Sequence, residues 1–303
     1  MYNDAGTDAS TDLCHIEHLS PGASIDLRDK EVGDMSSYEG LKRSSEGTPP
    51  ERKRGAADLR RLDRAHERVQ PGLDATREAS HQLFLNDCSI QLKGDHALLV
   101  ELPGRGRVEV QPADALRIAA YHSRQGQNNL NLKDTCGLVC CAMTAQAMTD
   151  GKSGLTEEKA LHFALSRGYC NEKGSTTPGQ RVALLQELAH IPAAINYASN
   201  MEKLLSYVDQ RKCVLASVNA GILYDNSKYL LSGQPNHTLW ITGTARDPIT
   251  KQVKAVIAND SLASRGGKII PLKTFAEAFL RDSSVFGGKT GMCIYTTQAR
   301  TRP

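Results

Sequence analysis

The sequence predicts an α+β fold in residues 87–303, a helical layer packed on an antiparallel sheet. Three features predict it. Helix-period patterns dominate between residues 113 and 210, and strand patterns dominate after 213. The late strands are joined by short turns such as ARDPITKQ, a length that suits antiparallel neighbours. No internal repeat breaks the order into smaller units.

The folded body is expected to begin near Cys88. CSIQLKG and HALLVELPG read as two strands around Gly94 and Asp95, and RGRVEVQP as a third. Pro112 opens a short helix, ADALRIAAYHS. After the polar loop RQGQNNLNLKDT comes CGLVCCAMTAQAM, whose small and apolar residues predict a buried helix starting at Cys136, with Asp134 or Thr135 as its cap. Thr156 caps a helix over TEEKALHFALSRG, and Pro178 starts another over PGQRVALLQELAH. A strand near residues 193–197 and a helix over MEKLLSYVDQ follow. The strands CVLASVNA, HTLWITGTA, QVKAVIAND and KIIPL come next, then the helix TFAEAFL and the strand MCIYTT.

Composition excludes several classes. The chain has 303 residues and a formal charge of +3, too small a surplus to imply nucleic acid. No stretch approaches the ~18–20 consecutive apolar residues of a membrane span, so a soluble protein is expected. The N-terminus lacks the basic start and apolar run of a signal peptide. Residues 1–55, rich in Ser, Asp, Glu, Gly and Thr, predict a disordered polar region. Residues 56–86 predict a charged helical linker, in which Arg60, Arg61, Arg64 and Arg68 form a solvated face interleaved with acids. The eight cysteines are irregularly spaced, which argues for reduced thiols.

Among those thiols Cys136 stands out. It follows a polar loop at a predicted helix N-terminus, where the helix dipole favours the thiolate and lowers the thiol pKa from its free value of ~8.5. Gly137 leaves room for a substrate backbone, and the backbone N–H of Cys136 is available to an oxyanion. Cys140 and Cys141 lie further into the helix, where burial makes thiols inert. A base is found in NHTLWITGTARD, where His237 opens a strand. The next strand, VKAVIAND, runs back and brings Asp260 within reach of His237, to hold its tautomer.

DTCGLVCCAM resembles the nucleophile motif of bacterial papain-like cysteine peptidases of the bacteriocin-leader-processing branch. NHTLWITG followed by VIANDS resembles their His strand and Asn-Asp hairpin, and SRGGKIIPLKTFAEAF resembles the turn, strand and helix that follow. The similarity spans residues 129–296 in the right order. It implies a papain-like fold and attack on a peptide or isopeptide carbonyl, with Cys136 as nucleophile, His237 as base and Asp260 as orienter. No cofactor and no metal are expected, and the expected partner is a protein or peptide substrate. The resembling peptidases carry a Gln about six or seven residues before the Cys as oxyanion donor. Here Leu130 and Asn129 occupy those positions, so Asn129, then Asn131, are the expected amides, with Gln127 two residues before Asn129.

Rival chemistries are weaker. Zinc would need paired CxxC-type spacings, which Cys136, Cys140 and Cys141 lack. GRGR and RGGK lack the spacing of a phosphate loop. A transglutaminase or glutamine deamidase uses the same three residue types, because amine or water can resolve one thioester. A catalytically degenerate binding module is the remaining alternative. The loop 221–236, with Tyr224, Tyr229 and Leu230, is a candidate wall of a substrate groove. A polar head joined to a compact hydrolase resembles bacterial effectors. That analogy implies a bacterial cytoplasmic protein secreted into a host or target cell.

Overall fold

A computed structural model of the chain describes residues 82–93, 97–104, 106–226, 234–283 and 288–301. The expected polar region at 1–55 and nearly all of the expected linker at 56–86 lie outside these residues, as do Tyr229 and Leu230. Residues 83–86 do not continue a helix. Leu83–Phe84 form a first strand, β1, and a 3-10 turn follows at Leu85–Asp87.

Three strands come next: β2 (Ser89–Lys93), β3 (Ala97–Leu102) and β4 (Gly106–Gln111). A short helix, α1 (Ala115–Ala119), leads through the polar loop to α2 (Cys136–Met148). Then come α3 (Glu157–Arg167), α4 (Pro178–Glu187), β5 (Ala193–Ser199), α5 (Met201–Asp209), β6 (Val214–Val218) and a single turn, α6 (Ala220–Leu223). The chain continues with β7 (His237–Arg246), β8 (Val253–Asn259), β9 (Lys268–Pro271), α7 (Leu272–Phe279), β10 (Arg281–Ser283) and β11 (Gly288–Thr296).

Local chemistry sets the helix starts. The Thr156 hydroxyl accepts from Lys159 N at the head of α3, and Gly168 closes that helix at φ 68°. At α4, Thr177 and Gln180 form a reciprocal capping box with Pro178 in the first turn. Asn200 caps α5 through Lys203 N. Helix α2 differs, because apolar residues surround it: Leu138, Val139, Cys140, Cys141, Met143 and Ala145 are all buried. A helix apolar on every side belongs in a core.

The described strands pair antiparallel in the order β1-β9-β8-β7-β4-β3-β2, with β6 also on β7, β11 on β6 and β5 on β11. β7 is the keystone. One edge meets β8, while the other is shared: β6 pairs residues 237–241, and β4 pairs residues 244–246. The early strands β2–β4 thus join the late sheet, so the expected succession of helices and then sheet is not the spatial order.

The expected two layers become three. On β6 and β7, Leu215 and Trp240 pack with α2, α3 and α4 through Leu138, Leu161 and Leu184. Their alternate neighbours Ala216, Leu239 and Ile241 pack on the opposite face with Leu204 and Val208 of α5 and Phe275 and Phe279 of α7. A third cluster joins β3 and β4 to β8 and β9 through Val100, Val110, Ile257 and Ile269. Among the described residues no helix is long and apolar enough to cross a membrane.

Candidate active site

Cys136 is the first residue of α2, and its N-cap, Thr135, makes no capping bond. The Thr135 hydroxyl donates instead to the buried carboxylate of Glu157, which also accepts from the backbone N–H of Gly126 at 2.8 Å and of Gln127 at 2.9 Å. Glu157 therefore ties the polar loop to the helix start. The first-turn N–H groups of α2 are left without a side-chain acceptor, the arrangement that favours an anion at that end.

His237 is the first residue of β7, and Asp260 follows the last residue of β8. The register sets Trp240 opposite Asn259, so both residues emerge at one end of the sheet. His237 Nε2 lies 2.9 Å from Asp260 Oδ1, and both side chains are buried. That bond leaves Nδ1 as the ring nitrogen available to Cys136, and His237 and the Thr238 backbone both favour the thiolate.

Electrostatics single out one thiol. Burial opposes ionisation of Cys136, yet the His237 hydrogen bond, its charge, the nearby Arg181 and the Thr238 backbone together hold the thiol below its ordinary value. The six other described cysteines go the other way, chiefly through burial. Cys141 is pushed up to about 12 and Cys293 to about 11, while Cys140, Cys213, Cys88 and Cys170 are also raised. Two of these sulfurs are occupied elsewhere: Cys140 Sγ donates to Thr238 O at 3.3 Å, and Cys141 Sγ to Arg181 O at 3.7 Å. Every described cysteine is free of disulfides. Among the described residues no cluster of three or more His, Cys, Asp or Glu side chains could hold a metal ion.

Burial disfavours the charged imidazolium, but bonds to Asp260 and Cys136 outweigh it and raise His237 to about 9. Asp260 is wholly buried and held far below the carboxylate range, since Lys268, His237 and Tyr224 overcome its desolvation. Its Oδ2 accepts from Tyr224 Oη at 2.7 Å and Lys268 Nζ at 3.0 Å, and Oδ1 also accepts from Leu262 N at 3.0 Å. The Lys268 ammonium lies over the Tyr224 ring, 4.4 Å from its centroid. His122 Nε2 donates to the Asp260 carbonyl at 2.8 Å, and Asn259 ties the same turn to Ile118 O and Gly267 N, each at 3.0 Å. Gly266 has no alternative there, because a Cβ would collide with the Ala119 carbonyl and the Asn259 side chain.

Cys136 and His237 line a cleft of about 690 Å³, together with Gln125, Arg181, Ser217 and Thr238 among the described residues. Asn129 and Asn131 do not line it. Both are exposed, Asn129 N is bonded to Glu158 at 2.9 Å, and Asn131 adopts φ 56° in a turn directed to solvent. Neither asparagine reaches the cleft, whereas the same loop brings Gln125 to it. Its Nε2 donates to Lys133 O at 2.6 Å, and its Oε1 accepts from Ser261 at 2.7 Å, so one amide N–H remains. Gly137 lines the cleft as well, and its Cα packs against Thr176 and the Arg181 stem, where a Cβ would fall 2.9 Å from Arg181 Cδ.

Gln125 and Lys268 were not legible as site residues in the sequence, and Tyr224, expected in a groove wall, donates to Asp260. For Lys268 a signal exists: the Gly266-Gly267 turn folds β9 back on β8, opposite Ala258, two residues from Asp260. Gln125 is fixed by loop contacts that no periodic pattern encodes.

No protein-family model matches the sequence, and no curated protein matches it. A solved structure from Bacillus anthracis, assigned as a C39-like peptidase, is similar over 60% of this chain and 97% of that one, at 15% identity and a TM-score of 0.38. At that level of likeness, function has to be argued from the site chemistry.

Proposed function

We propose that the chain is a papain-like cysteine peptidase that hydrolyses peptide or isopeptide bonds through a thioester at Cys136. One observation carries this: among the described thiols only Cys136 is held below its ordinary pKa, and the cause is an imidazole anchored to a buried carboxylate. The Cys136 thiolate attacks the carbonyl carbon, and the oxyanion is met by the Cys136 backbone N–H and the Gln125 amide. The C–N bond breaks as His237 passes its proton to the leaving amine. Neutral His237 then takes a proton from water, whose oxygen attacks the thioester, and the sulfur leaves as thiolate beside a regenerated imidazolium. Asp260 holds the ring orientation throughout, and Lys268 and Tyr224 hold Asp260.

The test is a peptide library incubated with the protein and read by mass spectrometry. New termini with Cys136-dependent yield support the proposal. Ammonia release or amine incorporation without new termini would replace it with a deamidase or transglutaminase. Gln125→Ala is expected to lower kcat on a cleaved library member by about 10²–10³-fold with little change in KM, as for loss of one oxyanion donor. An unchanged kcat would remove Gln125 from the mechanism.

The pH dependence has two limbs with different owners. Alkylation of Cys136 by neutral iodoacetamide needs only the thiolate, so it is expected to begin at a lower pH than for a free thiol and then stay high. Peptide turnover also needs the imidazolium proton, so it should fall as pH rises through about 9. Coincident profiles for the two reactions would contradict the role given to His237. Delivery into another cell, the expectation attached to the polar head, rests on residues outside the described part.

A further inference from the structure

Among the described residues Arg181 has no carboxylate partner. It lies on α4 with 5% of its surface exposed and borders the cleft beside Cys136. Among the described residues its N–H groups reach only hydroxyls, Thr238 Oγ1 and, at 3.4 Å, Ser217 Oγ, and its Nε has no partner. The other charged groups of the site balance: thiolate against imidazolium, Asp260 against Lys268. One positive charge is left over, on a buried guanidinium.

A buried cation served by hydroxyls alone is costly, since hydroxyls offer dipoles and no counter-charge. The sequence also makes room for it, because only glycine at 137 lets the Arg181 stem pass the head of α2. Guanidinium geometry suits a carboxylate, which it can grip through two parallel N–H bonds. We infer that Arg181 forms an anion-recognition subsite for a carboxylate on the substrate, an Asp or Glu side chain or a chain terminus adjacent to the scissile bond. The subsite rests on the peptidase proposal and narrows it to acidic peptides.

Two small alkylating agents test this without a known substrate. Iodoacetate and iodoacetamide place the same methylene on sulfur and release iodide, but only the first carries a carboxylate. A general effect of Arg181 on thiolate content changes both rates equally, so their ratio isolates anion recognition. The iodoacetate-to-iodoacetamide ratio at Cys136, mapped by mass, is expected to exceed that of N-acetylcysteine by roughly tenfold, the scale of one charged hydrogen bond. The His237 imidazolium also attracts the carboxylate. Arg181→Met should therefore lower the ratio severalfold without abolishing it, and Arg181→Lys should keep more of the preference. A ratio unchanged in Arg181→Met overturns the subsite. A wild-type ratio equal to that of N-acetylcysteine overturns the subsite, and this comparison stands even if Arg181→Met fails to fold. Cys136 inert to both reagents overturns the peptidase proposal itself, and the subsite with it. Alkylation by both without preference removes the subsite alone.

Discussion

Cys136→Ala is expected to lower turnover by about 10⁴-fold or more, because the thioester has no other sulfur on which to form. The fold should survive, since the side chain is only half-buried and loses one atom. A peptidyl vinyl sulfone should label wild type at Cys136 alone and leave the variant unmodified. Cys140→Ala and Cys141→Ala should retain wild-type rates, because those thiols are raised, buried and bonded to backbone carbonyls. Each should cost about 1 kcal/mol in stability through a small cavity. Full activity of Cys136→Ala, or labelling shared evenly among the cysteines, would end the assignment.

Asp260→Ala should be damaging in two separable ways. Without the carboxylate, His237 loses the bond that fixes its ring and the charge that keeps it protonated, and turnover should fall by about 10²–10⁴-fold. The Lys268 ammonium, 8% exposed, is stranded without its counter-ion, a loss on the order of 3–5 kcal/mol. Denaturant melts of Asp260→Ala and of Asp260→Ala/Lys268→Met separate the two. The second substitution should recover much of the stability and little of the rate. Recovery of both would make Asp260 a structural partner of Lys268 and not an orienter of His237.

Much of this site was legible in the chain because its parts sit at element ends. A loop-Cys-Gly step into an apolar run marks the start of α2, His237 opens a strand-period run, and Asn259-Asp260 closes the next. Helices α3 and α4 declare themselves through Thr156 and through Thr177-Pro178-Gln180, which act within one turn. Where the sequence misled, the cause was long-range. Thr135 looks like a cap, but its hydroxyl is drawn to Glu157, twenty-two residues away. Leu83–Phe84 looks like linker, because two residues carry no period, and only pairing with β9 makes them a strand. The helices on the far face of the sheet were each readable, but which side of β7 they cover depends on crossings no local pattern reports.

Cys136 precedes His237 by 101 residues, and the two meet only where α2 docks against β7. During synthesis the sulfur leaves the ribosome well before the imidazole exists, and an emerging or unravelled polypeptide holds eight unremarkable thiols. Reactivity is thus a property of the assembled layers and arises in step with them.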